Sequence, residues 1–408
     1  MPATLRGCTA TAAFAMRFPF AGRSSAQATT ADDDLLVIAE PEALARAFEP
    51  APASFCNPIV AAVHPAGSAD PSVVFHDGHY HYCRSLADGA LGIARARRLQ
   101  DIGRAEMVVV WRPEPGTMWS REIWAPELQR VQGRWVIYFA ASDGHNRNHR
   151  MYALEAEGDD LQGRWHFKGR IAAPTDTWAI DGIAVEHAGG LYFVWSGWRR
   201  NDDGFPQVLY IAPMSDPFTI SGERVEIAAP ALAWEQRGAS LLEGPAVLYR
   251  DGRVFIAYSA SASWTDDYAL GLLVFEGGDI LSPAAWRRIE SPVFAQCRDA
   301  GVYGPGHNSF VTSPDGREDW MVYHAIGRSG GGWAARSVRA QRITWRADGL
   351  PDFGRPVGAG VPVIEPSGTP CLRPKEEAEL ALADARRARP AAAAKRAPRR
   401  QAAKAAAR

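Results

Sequence analysis

The sequence contains no run of 18 apolar residues, so no segment reads as a membrane-spanning helix. Cysteine is sparse: Cys8, Cys56, Cys83, Cys297 and Cys371 are scattered without C-x-x-C spacing. That pattern excludes a cysteine-ligated zinc site and a disulfide framework, and the thiols read as mostly buried small hydrophobes. An excess of one charge is also missing, since 45 Lys and Arg stand against 46 Asp and Glu for a formal net charge of −1. Nothing global therefore points to nucleic acid or an anionic membrane as a partner. Long 3.6-residue periodicity is absent between the apolar segments, which disfavours an alternating α/β fold.

What is present is 47% hydrophobic residues, 14 Trp and 38 Gly in 408 residues, enough for a sizeable core. The ends differ from the middle. Residues 1–53 form an N-terminal extension whose first 30 residues are rich in Ala, Thr and Ser, carry Arg6, Arg17 and Arg23, and hold no acid. One reading is a secretory leader ending near Ser25-Ala26-Gln27-Ala28, which would place the protein in the periplasm or outside the cell. The plainer reading is an unstructured tail. Residues 368–408 form a basic Ala/Arg-rich extension, with nine basic residues and no acid between Arg386 and Arg408, and disorder is expected there. The folded domain is expected over 54–367.

Within that domain five stretches resemble one another. They begin at Asp70, Trp124, Asp181, Glu243 and His307. Each is an apolar strand, a turn containing Asp-Gly, Gln-Gly or Gly-Gly, and a second strand rich in aromatic and β-branched residues. The turn glycines Gly78, Gly133, Gly190, Gly252 and Gly316 recur every 55 to 64 residues. Room remains in each repeat for further strands, such as Leu91–Ala96, Arg150–Leu154, Gln207–Ala212 and Leu270–Phe275. A lone hairpin cannot bury both faces, so regular repetition predicts an all-β, five-bladed β-propeller.

In a propeller the equivalent ends of the innermost strands meet at one axial opening. The equivalent positions here hold Asp70, Trp124-Ala125, Asp181, Glu243 and His307. Singly these residues have plain explanations: Asp70 before Pro71 and Asp181 before Gly182 could shape turns, and Glu243 could be a solvated charge. At matching phases of a repeat, three carboxylates, an aromatic ring and an imidazole make a candidate reactive site.

The segments Ala69-Asp70-Pro71, Trp124-Ala125-Pro126-Glu127, Ile180-Asp181-Gly182, Glu243-Gly244-Pro245 and Gly304-Pro305-Gly306-His307-Asn308-Ser309 resemble, in order and spacing, the signature segments of glycoside hydrolase family 43. The resemblance runs from Asn57-Pro58 to Asp348-Gly349-Leu350-Pro351. It implies a five-bladed propeller acting on α-L-arabinofuranosyl or β-D-xylosyl linkages of an oligosaccharide or polysaccharide, with inversion. It further implies that Asp70 is the general base, Glu243 the general acid, and Asp181 the residue that orients Glu243 and keeps its pKa high. His307 resembles the family's central histidine, which helps hold a hydrated calcium ion, or a monovalent substitute, as a structural cofactor in the channel; a histidine bonded to water without metal is the alternative. Trp124, Trp178 and Trp264 are candidate sugar-facing rings, although packing between blades would equally explain any of them. Either Arg336 or Arg339, on the expected closing strand, contacts the acid cluster. The loop containing His145, Asn146 and His149 reads as solvated rather than as a metal site.

Within the family, the Gly304–Ser309 segment and the lack of room for an added C-terminal sandwich favour an α-L-arabinofuranosidase over a β-xylosidase or an endo-arabinanase. A non-catalytic carbohydrate-binding propeller would have no reason to keep all three acids. A fructan-cleaving hydrolase would carry Asn-Asp-Pro, where this chain has Ser68-Ala69-Asp70-Pro71. A glycoside phosphorylase would need a basic phosphate pocket beside the acid, which the sequence does not display.

Overall fold

The computed structural model describes residues 53–62 and 67–388. The expected leader and the last 20 residues lie outside the described residues. The chain forms five antiparallel sheets arranged as a five-bladed propeller. Blade I comprises Ser72–His76, His79–Ser85, Leu91–Ala96 and Met107–Trp111; blade II comprises Arg121–Val131, Arg134–Ser142, Arg150–Ala156 and Trp165–Ile171. Blade III runs through Ala179–His187, Gly190–Gly197 and Val208–Asp216, whose outer edge carries Thr219–Ile220 and Val225–Ala228. Blade IV is Leu242–Arg250, Arg253–Ala260, Ala269–Phe275 and Trp286–Arg288, and blade V is Tyr303–Thr312, Asp319–Ile326, Arg336–Trp345 and Pro351–Asp352.

The inner hairpins follow from turn chemistry. Asp77-Gly78, Gln132-Gly133, Ala188-Gly189 and Asp251-Gly252 each place two successive residues at positive φ. That is the type I′ geometry whose twist matches the flanking strands. In blade III the turn glycine is therefore Gly189, and the expected Gly190 is already paired with His187. Blade V turns differently, through Ser313–Glu318 with only Gly316 at positive φ.

Alternation along the strands sends apolar side chains to both faces of each blade, and neighbouring blades bury them together. Leu91, Ile137 and Leu154 fill the contact between blades I and II; Tyr138, Phe193 and Tyr210 that between II and III. Val194, Ile256 and Leu273 join III to IV, and Phe255, Leu272 and Tyr323 join IV to V. The fifth contact, of Val73 and Tyr80 with Trp320 and Val322, returns to blade I and closes the ring.

Closure is also made by the backbone. Ser54–Cys56 pairs with Pro362–Ile364, and the N–H groups of Ile59 and Val60 donate to the Val338 carbonyl. The buried Asn57 amide donates to Ala340 O and accepts from Ala340 N–H, both at 2.9 Å, so a side chain here does the work of a strand residue.

Two expectations are corrected. Disorder was expected throughout 368–408, but Pro374–Ala388 is a helix. Its Ala, Leu and Glu residues are strong helix formers, Pro374 stands at its start, and Glu376 and Glu377 occupy the first turn. Glu376 and Asp384 pair with Arg97 and Arg104 near blade I at 3.1 and 2.6 Å. Of the four described cysteines, Cys83 and Cys297 are buried as expected, whereas Cys56 and Cys371 are exposed. Among the described residues no helix is long and apolar enough to cross a membrane.

Candidate active site

Each blade places a left-handed residue on or just before its inner strand, near the channel: Asp70 at φ 48°, Ala125 at 42°, Asp181 at 55°, Gly244 at 53° and His307 at 41°. Strand register slips around four of them, between Trp124 and Glu127, Ile180 and Ile183, Glu243 and Ala246, and Gly306 and Ser309. Such bulges redirect side chains, and here they turn them toward the channel. Non-glycine residues pay about 1–2 kcal/mol for this conformation, least for Asp and His. The true equivalent of Asp70 and Asp181 in blade IV is therefore Gly244, with Glu243 one residue earlier. A Cβ at 244 would stand 3.0 Å from His307 Nδ1, so a glycine here lets the imidazole sit close to the blade IV backbone.

These bulges bring Asp70, Asp181, Glu243 and His307 together as expected from the sequence, and all four line one pocket of about 400 Å³. His307 is its centre. Nδ1 lies 3.5 Å from Asp70 Oδ1 and 3.8 Å from Asp181 Oδ2, while Nε2 is hydrogen-bonded to Glu127 Oε1 at 2.9 Å. Asp181 Oδ2 accepts the Gly244 N–H at 2.9 Å, and the Tyr268 hydroxyl donates to Glu243 Oε1 at 2.8 Å. The His307 N–H is anchored on Ser259 Oγ at 2.7 Å.

Of the two arginines, Arg336 reaches the cluster, with Nη1 3.8 Å from Asp70 Oδ1. Arg339 does not: it is buried and donates to the Val357 carbonyl at 3.1 Å. Residues three apart on an unbroken strand face opposite sides, so only one of the pair can enter the channel.

The same neighbours separate the protonation states. Burial raises the Glu243 carboxyl to about 8, helped by the like charge of Asp181. Burial raises Asp181 to about 6, against the opposing charge of His307. Asp70 behaves differently: burial opposes its ionisation, but His307 and Arg336 hold its carboxyl well below the ordinary range. His307, despite burial, is raised to about 10 by Asp70, Asp181 and Glu127. Burial lowers His324 to about 4; as a neutral ring its Nδ1 accepts the Asp70 N–H at 3.2 Å. The site thus biases Asp70 toward its anion, Glu243 toward its protonated form and His307 toward the imidazolium.

The expected calcium would sit beside His307, whose Nε2 is on Glu127 Oε1 at 2.9 Å and whose Nδ1 faces Asp70 and Asp181. A hydrated ion there would be held through water and carboxylate oxygens.

The aromatic candidates divide. Trp124, 36% exposed, stacks on the buried His149 ring at 3.8 Å and forms one wall of the pocket. His149 is thereby a support for that wall, its two nitrogens occupied by the carbonyls of Asn146 and Glu122. Trp178 is only 2% exposed and lies face to face on Trp198 at 4.5 Å, a wall rather than a free platform. Trp264 meets Trp333 edge-on at 5.5 Å, and both project at the mouth, 42% and 50% exposed. Phe205 completes the rim.

Glu127, Tyr268, His324 and Trp333 were missed from the sequence. Glu127 had a signal: it closes the Trp124-Ala125-Pro126-Glu127 segment that carries a repeat anchor. His324 is an imidazole inside the apolar run Met321-Val322-Tyr323-His324-Ala325-Ile326. Tyr268 and Trp333 lie just before third strands, where repeat phase assigns nothing to the channel.

Comparisons with known proteins agree with this geometry. A family model described as glycosyl hydrolases family 43 matches residues 55–351. Alpha-L-arabinofuranosidase 43 of Humicola insolens is 37% identical over 72% of this chain and 62% of its own length. The extracellular exo-alpha-(1->5)-L-arabinofuranosidase of Streptomyces avermitilis is 38% identical over 76% of this chain and 66% of its own. The chain thus spans less than two thirds of these two relatives. The crystal structure of alpha-L-arabinofuranosidase from Lactobacillus brevis superposes with a TM-score of 0.69 at 36% identity, covering 75% of this chain and 98% of that one.

Proposed function

The chain belongs to the glycosyl hydrolases of family 43, and from that premise we propose that it is an inverting, exo-acting α-L-arabinofuranosidase. The observation that carries the reading is the convergence of Asp70, Asp181 and Glu243 in one pocket around His307, where Asp70 is held below the ordinary carboxylate range and Glu243 is raised above it. An inverting glycosidase needs that division, one carboxylate to take a proton from water and one acid to protonate the leaving oxygen. Asp70 and Glu243 stand on blades I and IV with His307 of blade V between them, which suits groups on opposite faces of a sugar ring. Arg336 and the imidazolium keep Asp70 ionised. Asp181 keeps Glu243 protonated and, as an anion beside the sugar, stabilises positive charge developing at the anomeric carbon.

Exo action is supported by the shape of the site. A pocket of about 400 Å³ walled by Trp124, Trp178, Trp198 and Phe205 accepts a chain end rather than the middle of a polymer. The arabinofuranosidase names of the relatives support the choice of sugar, and a relative described as extracellular supports secretion.

The test is hydrolysis of nitrophenyl α-L-arabinofuranoside, nitrophenyl β-D-xyloside, α-1,5-arabino-oligosaccharides and linear arabinan, with NMR of the first-formed anomer. Release of β-L-arabinose from the first and third substrates is expected. Preference for the xyloside, mid-chain cleavage of arabinan, or retention of configuration would overturn the reading, and no turnover of any would leave a carbohydrate-binding propeller.

A further inference from the structure

Glu243 has two carboxyl oxygens, and one of them is already taken. The buried Tyr268 hydroxyl donates to Oε1 at 2.8 Å. Burial first, and then the Glu243 charge, push the Tyr268 phenol well above its ordinary range, so the hydroxyl keeps its proton. The other titratable groups facing Glu243 are Asp181, His307 and Asp70. In a protonated carboxyl the oxygen that accepts such a bond is the carbonyl oxygen, which leaves the acidic proton on Oε2.

The ring of Tyr268 is held on both sides. One face lies parallel to His324, centroids 5.7 Å apart at an interplanar angle of 0°. His324 in turn accepts the Asp70 N–H at 3.2 Å, so one rigid stack connects the Asp70 backbone with the Glu243 carboxyl. Against the ring edge lies Gly306, where a Cβ would stand 2.2 Å from Tyr268 Cε1. The absence of a side chain at 306 is what admits the ring.

We propose that Tyr268 is a positioning residue for proton transfer, fixing the proton on Glu243 Oε2 and stabilising the carboxylate left when that proton departs. The proposal rests on reading Glu243 as the acid. In that step the Oε2–H bond breaks and an H–O bond forms on the glycosidic oxygen, which takes the electron pair of the broken bond to the anomeric carbon. The water oxygen bonds to that carbon and passes its proton to Asp70.

The experiment is Tyr268→Phe, which keeps the ring and its stack on His324. Loss of the hydroxyl removes a bond that favours the charged form of Glu243, so the descending limb of the kcat/KM–pH profile is expected to move up by about one pH unit. Turnover of arabinobiose, a poor leaving group, is expected to fall about tenfold, and that of a dinitrophenyl glycoside far less. An unmoved limb, or equal loss on both substrates, would overturn the proposal. If the Phe variant fails to fold, difluorotyrosine at 268 supplies a stronger donor, and the limb must then move down; an unmoved limb again overturns it. Glu243→Gln separates the two readings. Undiminished arabinobiose turnover in that variant removes Glu243 as the acid, whereas a dead Gln variant beside an unmoved Phe limb removes only the role of Tyr268.

Discussion

His307 Nε2 donates to Glu127 Oε1 at 2.9 Å, joining blade V to blade II through the centre of the channel. Both side chains are buried. Glu127→Ala should therefore destabilise the protein by about 2–3 kcal/mol, the cost of leaving a buried N–H without an acceptor. Glu127→Gln should cost much less, because its carbonyl oxygen still accepts and Asp70 and Asp181 still balance the charge. Thermal melts across pH check the sign. The raised His307 pKa gives a stabilisation fully present below about 6.5 and lost as pH rises through about 10. Glu127, raised from 4.5 to about 7, acts in the same direction at lower pH, its penalty growing as pH rises from 4.5 to about 7.

Activity should form a plateau bounded by Asp181 near 6 and Glu243 near 8. Asp70 stays ionised throughout. In Asp181→Asn the like charge that raises Glu243 is gone, so the descending limb should move down by about one pH unit and the ascending limb near 6 should disappear. The kcat/KM–pH profile of the purified variant is the measurement, and an unchanged profile would contradict the assignment.

Glu243→Gln should lower kcat about a thousandfold on arabino-oligosaccharides but far less on a dinitrophenyl glycoside, whose leaving group needs no proton. Asp70→Asn should lose a similar factor on both, since water must be activated whatever leaves. Comparing the two substrates distinguishes acid from base without any structure.

Trp333→Ala should raise KM for arabino-oligosaccharides about tenfold and leave kcat for nitrophenyl arabinofuranoside nearly unchanged. The ring stands half-exposed at the mouth, with its Nε1 tied to Ser263 at 3.0 Å. A loss confined to kcat would place it in the chemistry instead.

Much of this was legible in the sequence because the turn chemistry repeats. Asp77-Gly78 and Asp251-Gly252 read as tight hairpin turns, and repeat phase alone brought Asp70, Asp181 and Glu243 to one opening. Phase could not see the bulges. It set Glu243 where Gly244 belongs and took Gly190 for the turn residue in place of Gly189, because a one-residue slip leaves no mark in composition. It also could not reach residues contributed by second strands and loops, which is why His324, Tyr268 and Trp333 appeared only in three dimensions. The helix at Pro374–Ala388 was hidden by the basic run after it: averaged over the whole tail, Glu376, Glu377, Glu379 and Asp384 lose their weight.

The Asn57 amide, on the segment that leads into the first blade, grips Ala340 of the last, and the pocket straddles that junction: Asp70 stands on one side and Arg336 on the other. The ring's latch and the contact between Arg336 and Asp70 thus lie on one seam. Opening that seam would part the guanidinium from the carboxylate, so the charge around Asp70 depends on the circle being shut.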